Sequence, residues 1–274
     1  MKCCLYSLAA FLTLNLNAME QTFRKPVGPI NTLCYSPQGE KLARDNGVSV
    51  EIWDFNDEKY HSFPVNDIVG SMIFCTLDNK MRLISIPIIA FPPSTSCDLR
   101  VWDLENKELI EIFENYYQES SLDACSPDGI FCLHTDSQIQ HPTMWEIKTK
   151  RIKQQFMNEE NDIIYSLVFE KDTQSCAFGT DKGIKIFDVL SGKKTVTFQD
   201  DSTSHNGVSF CANSNTIASA SGTSIKLWDI NSGKIAHEVP LEKLLVTLAC
   251  SPDDVTIAYS IENTNQIFFL DTRK

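Results

Sequence analysis

One short pattern recurs six times along this chain, and it restricts the possible folds more than any other feature. Each copy has apolar residues at its third and fourth positions and an acidic residue at its fifth. The copies span 50–55, 99–104, 142–147, 184–189, 225–230 and 267–272. Alternation of apolar and variable residues is typical of a strand, whose successive side chains point to opposite faces. The chain therefore carries six related units of roughly 40–50 residues, the period of a propeller blade.

A second pattern runs in phase with the first. The segments 35–39, 125–129 and 250–254 each follow an apolar run and contain Ser-Pro, as expected for a turn that Pro initiates. Weaker copies lie at 76–79, 170–173 and 211–214. Two markers in one register predict several short strands in every unit.

The Trp-Asp pairs and Ser-Pro-Asp-Gly turns resemble the WD-repeat β-propeller family over about residues 19–274. The pattern contains all four tryptophans of the chain: Trp53, Trp102, Trp145 and Trp228. The resemblance implies an all-β fold, a single six-bladed WD-repeat β-propeller, with the tryptophans packed between blades. It also implies a non-enzymatic scaffold, because loops at one end of such propellers often dock proteins.

The family's internal network of Asp, His, Ser/Thr and Trp has an incomplete counterpart here. Asp181 occupies the Asp position of a unit that has Phe187 in place of Trp. The next unit has Trp228, but Gly222 stands where Asp is expected. We therefore expect no complete network in any blade.

The N-terminal segments predict a closure and an export signal. Little chain follows Asp271, so the sixth unit lacks an outer strand, and residues 20–23 resemble the outer-strand segment 195–198. We expect the N-terminal strand to close the last blade, which removes exposed sheet edges. Residues 1–18 combine Lys2, an apolar run and Ala18, as in a signal peptide. An exported protein, periplasmic or secreted, is predicted; a cytoplasmic scaffold with an ordered N-terminal strand is the alternative.

Charge and motifs narrow the function classes. The net charge is −12, which argues against nucleic acid as a partner, because such binding depends on basic groups that neutralise phosphates. The chain has no apolar run of 18 residues, so no stable membrane insertion is expected beyond the signal segment. Zinc spacing, a phosphate-binding glycine loop and a nucleophile elbow are all missing from the sequence. We predict no metal, no cofactor and no catalytic residue.

Eight cysteines follow Ala18, and the sequence leaves their state open. An even number in an exported protein favours disulfides. Yet Cys75, Cys125 and Cys250 align with Tyr35, Phe169 and Phe210 of other units, which favours buried thiols in place of core aromatics. We expect thiols, with neighbouring inner strands too far apart for a bridge.

The connections between units are predominantly acidic and provide the predicted binding surface. A basic protein or peptide would dock over blades 3 to 5, and aromatic anchors would come from an insert in blade 2 and from a Tyr pair. The predicted binding residues are Glu159, Glu160, Asp162, Asp200, Asp201, Tyr116, Tyr117 and Phe91. Two alternatives stay open: the charges only keep the protein soluble, or a small molecule or glycan binds, or is hydrolysed, at the central channel.

Overall fold

The computed structural model describes most of the chain beyond residue 29. The described residues are 30–47, 49–57, 59–65, 69–77, 79–87, 97–117, 122–135, 141–158, 162–199, 205–211, 215–264 and 266–272. The secondary-structure elements within these ranges are all β-strands. Correspondingly, the described chain offers no long apolar helix of the kind that spans a bilayer.

The strands form six antiparallel sheets in chain order, each a simple meander. The first three sheets consist of β1 (Leu33–Tyr35), β2 (Lys41–Asp45), β3 (Ser49–Asp54) and β4 (Lys59–Pro64); β5 (Val69–Leu77), β6 (Lys80–Pro87), β7 (Cys97–Asp103) and β8 (Glu108–Tyr117); and β9 (Leu122–Cys125), β10 (Phe131–Thr135), β11 (Thr143–Glu146) and β12 (Arg151–Gln155).

The last three sheets repeat this order. They consist of β13 (Ile164–Phe169), β14 (Ser175–Thr180), β15 (Gly183–Asp188) and β16 (Lys194–Phe198); β17 (His205–Cys211), β18 (Thr216–Ser221), β19 (Ser224–Asp229) and β20 (Lys234–Pro240); and β21 (Leu245–Cys250), β22 (Thr256–Ile261) and β23 (Ile267–Asp271).

The inner strands of the six sheets contact one another in a closed cycle. β1 contacts β5, and β5, β9, β13, β17 and β21 follow in turn until β21 contacts β1. The protein is therefore a six-bladed β-propeller, which confirms the fold predicted from the repeat. Blades are numbered 1 to 6 in chain order. The loop end is the end at which each outer strand connects to the next inner strand; the hairpin end is the opposite one.

All four tryptophans lie between their own blade and the preceding one. Trp102 packs against Phe63 of blade 1, with ring centroids 6.0 Å apart, and Trp228 packs against Phe198 of blade 4 at 5.4 Å. Trp53 shares a cluster with residues of blade 6, and Trp145 shares one with blade 2. These rings fill the wedge between blades, where large apolar surfaces contribute most to packing.

The recurring acidic residue has a local role in the turn at the hairpin end. Asp188 accepts a hydrogen bond from the Ser191 backbone N–H, and Asp229 accepts one from Ser232, each at 2.7 Å. The hydrogen bonds from Ser191 lower the pKa of Asp188 and favour its charged form. Asp is thus selected at this position because its short side chain closes the turn between the third and fourth strands.

The Ser-Pro turns use their serine in a similar way. Ser126 Oγ donates to Asp128 at 2.5 Å and accepts from the Phe131 backbone N–H at 2.9 Å. Gly129 follows with a positive φ of 68°, and a Cβ there would lie 2.7 Å from the Leu77 side chain in blade 2. Glycine adopts this backbone conformation without strain, and a Cβ here would press on the Leu77 side chain.

One alignment from the sequence is wrong by a residue. Cys125 and Cys250 do occupy the inner-strand position predicted for them, opposite Cys132 and Ile257. In blade 2, however, Phe74 pairs with Leu83 at that position, so Cys75 is the next residue along the strand. The turn of blade 2 is a tight hairpin that adds ladder pairs beyond Cys75, and this shifts the strand relative to the Ser-Pro turns.

Two sequence predictions concern segments outside the described residues. The signal peptide 1–18 and the closing strand at 20–23 both lie there, and the described part of blade 6 has three strands.

The blade 2 insert was predicted at 86–97, as a loop between the second and third strands. Residues 88–96 of it lie outside the described residues, between β6 and β7. However, Ile86 and Pro87 belong to β6 and Cys97 to β7, so Pro87 lies in a paired strand, contrary to the prediction.

Deletion of residues 19–25 tests the predicted closure. We expect the melting temperature to fall by about 10 °C, because loss of a strand exposes an apolar sheet edge, and we expect concentration-dependent association. Differential scanning calorimetry and size-exclusion chromatography measure both. A melting curve identical to that of the protein with residues 1–18 removed would show that blade 6 does not use this segment.

Candidate functional site

Two places in the ring bring residues of several blades together: the central channel and the loop end. The channel has a volume of about 520 Å³, and its walls come from the inner strands. Its polar lining includes Asn31, Tyr165, Ser166, Ser209 and Thr247. A cavity of this size with a few polar groups falls in the range of small-molecule sites.

The predicted binding residues are distributed unevenly over the described chain. Asp162 is described in full, and Tyr116 and Tyr117 are the last two residues of β8, where that strand reaches the loop end. The others, Glu159, Glu160, Asp200, Asp201 and Phe91, lie outside the described residues. What the structure describes of the loop end is therefore the set of residues that flank these positions.

Asp162 is buried, contrary to its expected place on an exposed acidic surface. Its carboxylate lies 2.6 Å from the Lys182 ammonium and 2.6 Å from that of Lys185, and its side chain has no exposed area. Burial opposes ionisation of Asp162, but the hydrogen bonds and charges of both lysines outweigh it and lower the pKa. The charge of Asp162 is thus neutralised within the protein, and Asp162 fixes the loop rather than adding to its surface charge.

Asn158 holds the other side of the same connection. Its side-chain amide donates to the Asp162 carbonyl at 2.9 Å, and its own backbone N–H donates to His141 Nδ1 at 3.1 Å. Asn158 is 6% exposed. The two ends of the segment 158–162 are therefore bonded to each other and to both neighbouring blades.

Exposed apolar side chains flank this fixed base. Met157 is 53% exposed and Ile163 is 58% exposed, although their neighbours Phe156 and Asp162 are buried. Leu244, 50% exposed, lies at the loop end of blade 6 beside the exposed Glu242 and Lys243. The described part of the loop end thus exposes apolar side chains beside charged ones.

A hydrogen-bonded chain of His, Ser and Trp side chains crosses blade 5. Trp228 Nε1 donates to Ser219 Oγ at 3.0 Å, Ser219 Oγ lies 3.2 Å from Ser221 Oγ, and Ser221 Oγ lies 2.8 Å from His205 Nδ1. All four side chains are buried. Serines at alternate positions of β18 connect His205 to Trp228 without an Asp, so the network in this blade is incomplete, as expected.

The network continues into blade 4. Ser166 Oγ donates to the His205 carbonyl at 3.0 Å, so the first residue of β17 is fixed to the neighbouring inner strand. In sequence, His205 comes directly after residues 200–204, which include Asp200 and Asp201.

The chain matches no protein-family model and no curated protein. The WD-repeat resemblance consequently depends on the residues quoted above, while the six-bladed propeller is established by strand pairing. Within the described ranges, no three His, Cys, Asp or Glu side chains form a group suited to hold a metal ion.

Proposed function

We propose that the protein is a non-enzymatic WD-repeat scaffold that binds a basic protein or peptide at its loop end, over blades 3 to 5. The observation that carries the proposal is the pair of exposed apolar side chains, Met157 and Ile163, on a base that Asn158 and Asp162 hold in place. A surface fixed before binding loses less conformational entropy when a partner docks.

Charge supplies the second part of the argument. Glu159 and Glu160 follow directly after Asn158 in sequence, and Asp200 and Asp201 precede β17 of the next blade. Since the net charge of the chain is −12, a cationic partner would be attracted at long range and then held by apolar contacts. Export of the protein, periplasmic or secreted, remains part of the proposal on the basis of residues 1–18.

Reversing the charges of two loop-end residues distinguishes a docking surface from charges that only keep the protein soluble. The variant Glu159→Lys/Glu160→Lys should weaken partner binding about tenfold, because two attractive charges become repulsive. The matched control, Glu105→Lys/Glu108→Lys, makes the same change in net charge at exposed positions of the hairpin end. Pulldown from the native host, quantified by mass spectrometry, measures both.

If both variants recover the same partners in equal amounts, the acidic residues of the loop end do not contribute to partner binding. Adding Asp200→Lys/Asp201→Lys to the first variant should weaken binding further. Such an additional loss would indicate that the partner extends over blades 3 to 5.

The channel supports a second candidate function, binding of a small molecule or glycan. Its volume of about 520 Å³ and its hydroxyl-bearing lining are the observations in favour. Crystals soaked with a panel of mono- and disaccharides would show ordered sugar density between Tyr165 and Thr247 if this candidate is correct. Empty density at saturating sugar, with a partner bound at the loop end, would exclude it.

A further inference from the structure

Two buried thiols on neighbouring inner strands face each other across the junction of blades 5 and 6. Cys211 is the last residue of β17 and Cys250 the last residue of β21. Their sulfur atoms lie 2.8 Å apart, and the two residues are 8% and 9% exposed. A disulfide bond is about 2.05 Å long, so the sulfur atoms are less than about 1 Å further apart than in a bridge. Neighbouring inner strands were predicted to lie too far apart for a bridge; at this junction the two sulfur atoms are in contact, and both cysteines are thiols.

The two strands are held together at this point. The Cys250 backbone N–H donates to Ser209 Oγ at 3.1 Å, and Ser209 lies two residues before Cys211 on β17. Both cysteines belong to one apolar cluster with Leu248 and Ile257. The strands therefore need not move apart or slip for the sulfurs to meet.

We propose that Cys211 and Cys250 form a redox-active pair, which a small disulfide compound converts into a covalent bridge between blades 5 and 6. The Cys250 thiolate attacks one sulfur of the compound, forms a mixed disulfide and expels one thiolate. Cys211 then loses its proton and attacks the Cys250 sulfur, which expels the second thiol. Two electrons and two protons pass to the small disulfide, and it becomes two thiols.

Access to the pair is through the channel. Cys250 is one of the residues that line the channel, and we take the channel as the route by which a compact reagent reaches the pair. The hydrogen bond with Cys211, together with burial, raises the pKa of Cys250 and reduces the thiolate fraction at neutral pH. Thiol–disulfide exchange at Cys250 is therefore slow, so the reaction should be carried out at pH 8.5 with a compact disulfide reagent.

The bridge would close a loop that contains most of blade 5 and the inner strand of blade 6. Its two ends are separated by 39 residues. Cross-linking of this length restricts the unfolded chain and should raise the melting temperature by about 5–10 °C.

Peptide mapping of the wild-type protein tests the proposal without any variant. The folded protein is incubated with hydroxyethyl disulfide at pH 8.5, remaining thiols are alkylated, and the digest is analysed by mass spectrometry. We expect a peptide that links Cys211 to Cys250 and that disappears after reduction with dithiothreitol, together with the rise in melting temperature. Both cysteines still alkylated after prolonged incubation, or a linked form that melts below the reduced one, would overturn the proposal.

The chain supplies a matched control at the junction of blades 2 and 3. Cys75 and Cys125 occupy the same register positions there, since Cys75 follows Phe74 as Cys211 follows Phe210. The variant Cys75→Ala/Cys125→Ala should retain the 211–250 link and its effect on melting. Cys211→Ala should abolish both while leaving a mixed disulfide on Cys250; a melting rise that persists in Cys211→Ala would contradict the assignment.

Discussion

Replacing Trp228 with alanine should lower the free energy of unfolding by about 3–5 kcal/mol, one of the two largest effects expected in this protein. The indole is 1% exposed and fills the space between blades 4 and 5, against Phe198. Its removal leaves a cavity and also takes the hydrogen-bond donor from Ser219. Equilibrium unfolding in urea, followed by circular dichroism, measures the loss.

The chain itself suggests the matched control. Phe187 occupies in blade 4 the register position that Trp228 occupies in blade 5, opposite Cys176 and Ile217 respectively. Trp228→Phe keeps an aromatic ring but loses the hydrogen bond and part of the indole volume, so it should cost less than the alanine variant, about 1–2 kcal/mol. Equal losses for phenylalanine and alanine would mean that the network, and not packing between blades, determines the effect.

The second large effect is expected at Asp162. Asp162→Asn keeps the shape of the side chain but leaves Lys185, whose side chain is 5% exposed, as a buried charge without its carboxylate. Breaking one side of a buried ion pair costs about 3–5 kcal/mol, whereas removing both charges costs much less. Asp162→Asn/Lys185→Met is thus the control, and it should recover most of the loss. Urea unfolding at pH 7 compares the variants.

The same carboxylate gives a pH dependence with a definite sign. Since the lysines lower the pKa of Asp162 in the folded state despite its burial, folding favours the charged form. This contribution is present above about pH 4, the ordinary pKa of Asp, and is lost as the pH falls through the lowered value. Asp162→Asn should therefore lose less stability than the wild type between about pH 4 and pH 2. Parallel acid limbs for the two proteins would contradict the proposed ion pairs.

The repeat made the fold predictable because every blade encodes it locally. An apolar pair followed by Asp specifies a strand and the turn after it, and Asp188 and Asp229 perform that role through short hydrogen bonds. The error at Cys75 has a local cause too. Blade 2 has no Ser-Pro turn, so the sequence does not indicate that the first two strands of this blade pair for two residues beyond Cys75.

The candidate site was harder to predict because its contacts are not local. Asp162 is neutralised by lysines about 20 residues further along the chain, which are brought to it by the hairpin of β14 and β15. His205 reaches Trp228 through two serines, and the alternate spacing of Ser219 and Ser221 was the available signal. The sulfur contact between Cys211 and Cys250 joins separate blades, and no pattern within one repeat specifies it.

Crosslinking with an amine-reactive reagent in the native host tests the central claim most directly, because exposed lysines mark both ends of the ring. Lys182 and Lys243 lie at the loop end, and Lys107, Lys193 and Lys234 lie at the hairpin end. If the partner docks at the loop end over blades 3 to 5, crosslinks to it will concentrate on Lys182 in blade 4, and Lys243, between blades 5 and 6, will be the next lysine of the loop end to react. Crosslinks confined to Lys107, Lys193 and Lys234 would place the partner on the opposite end and contradict the account.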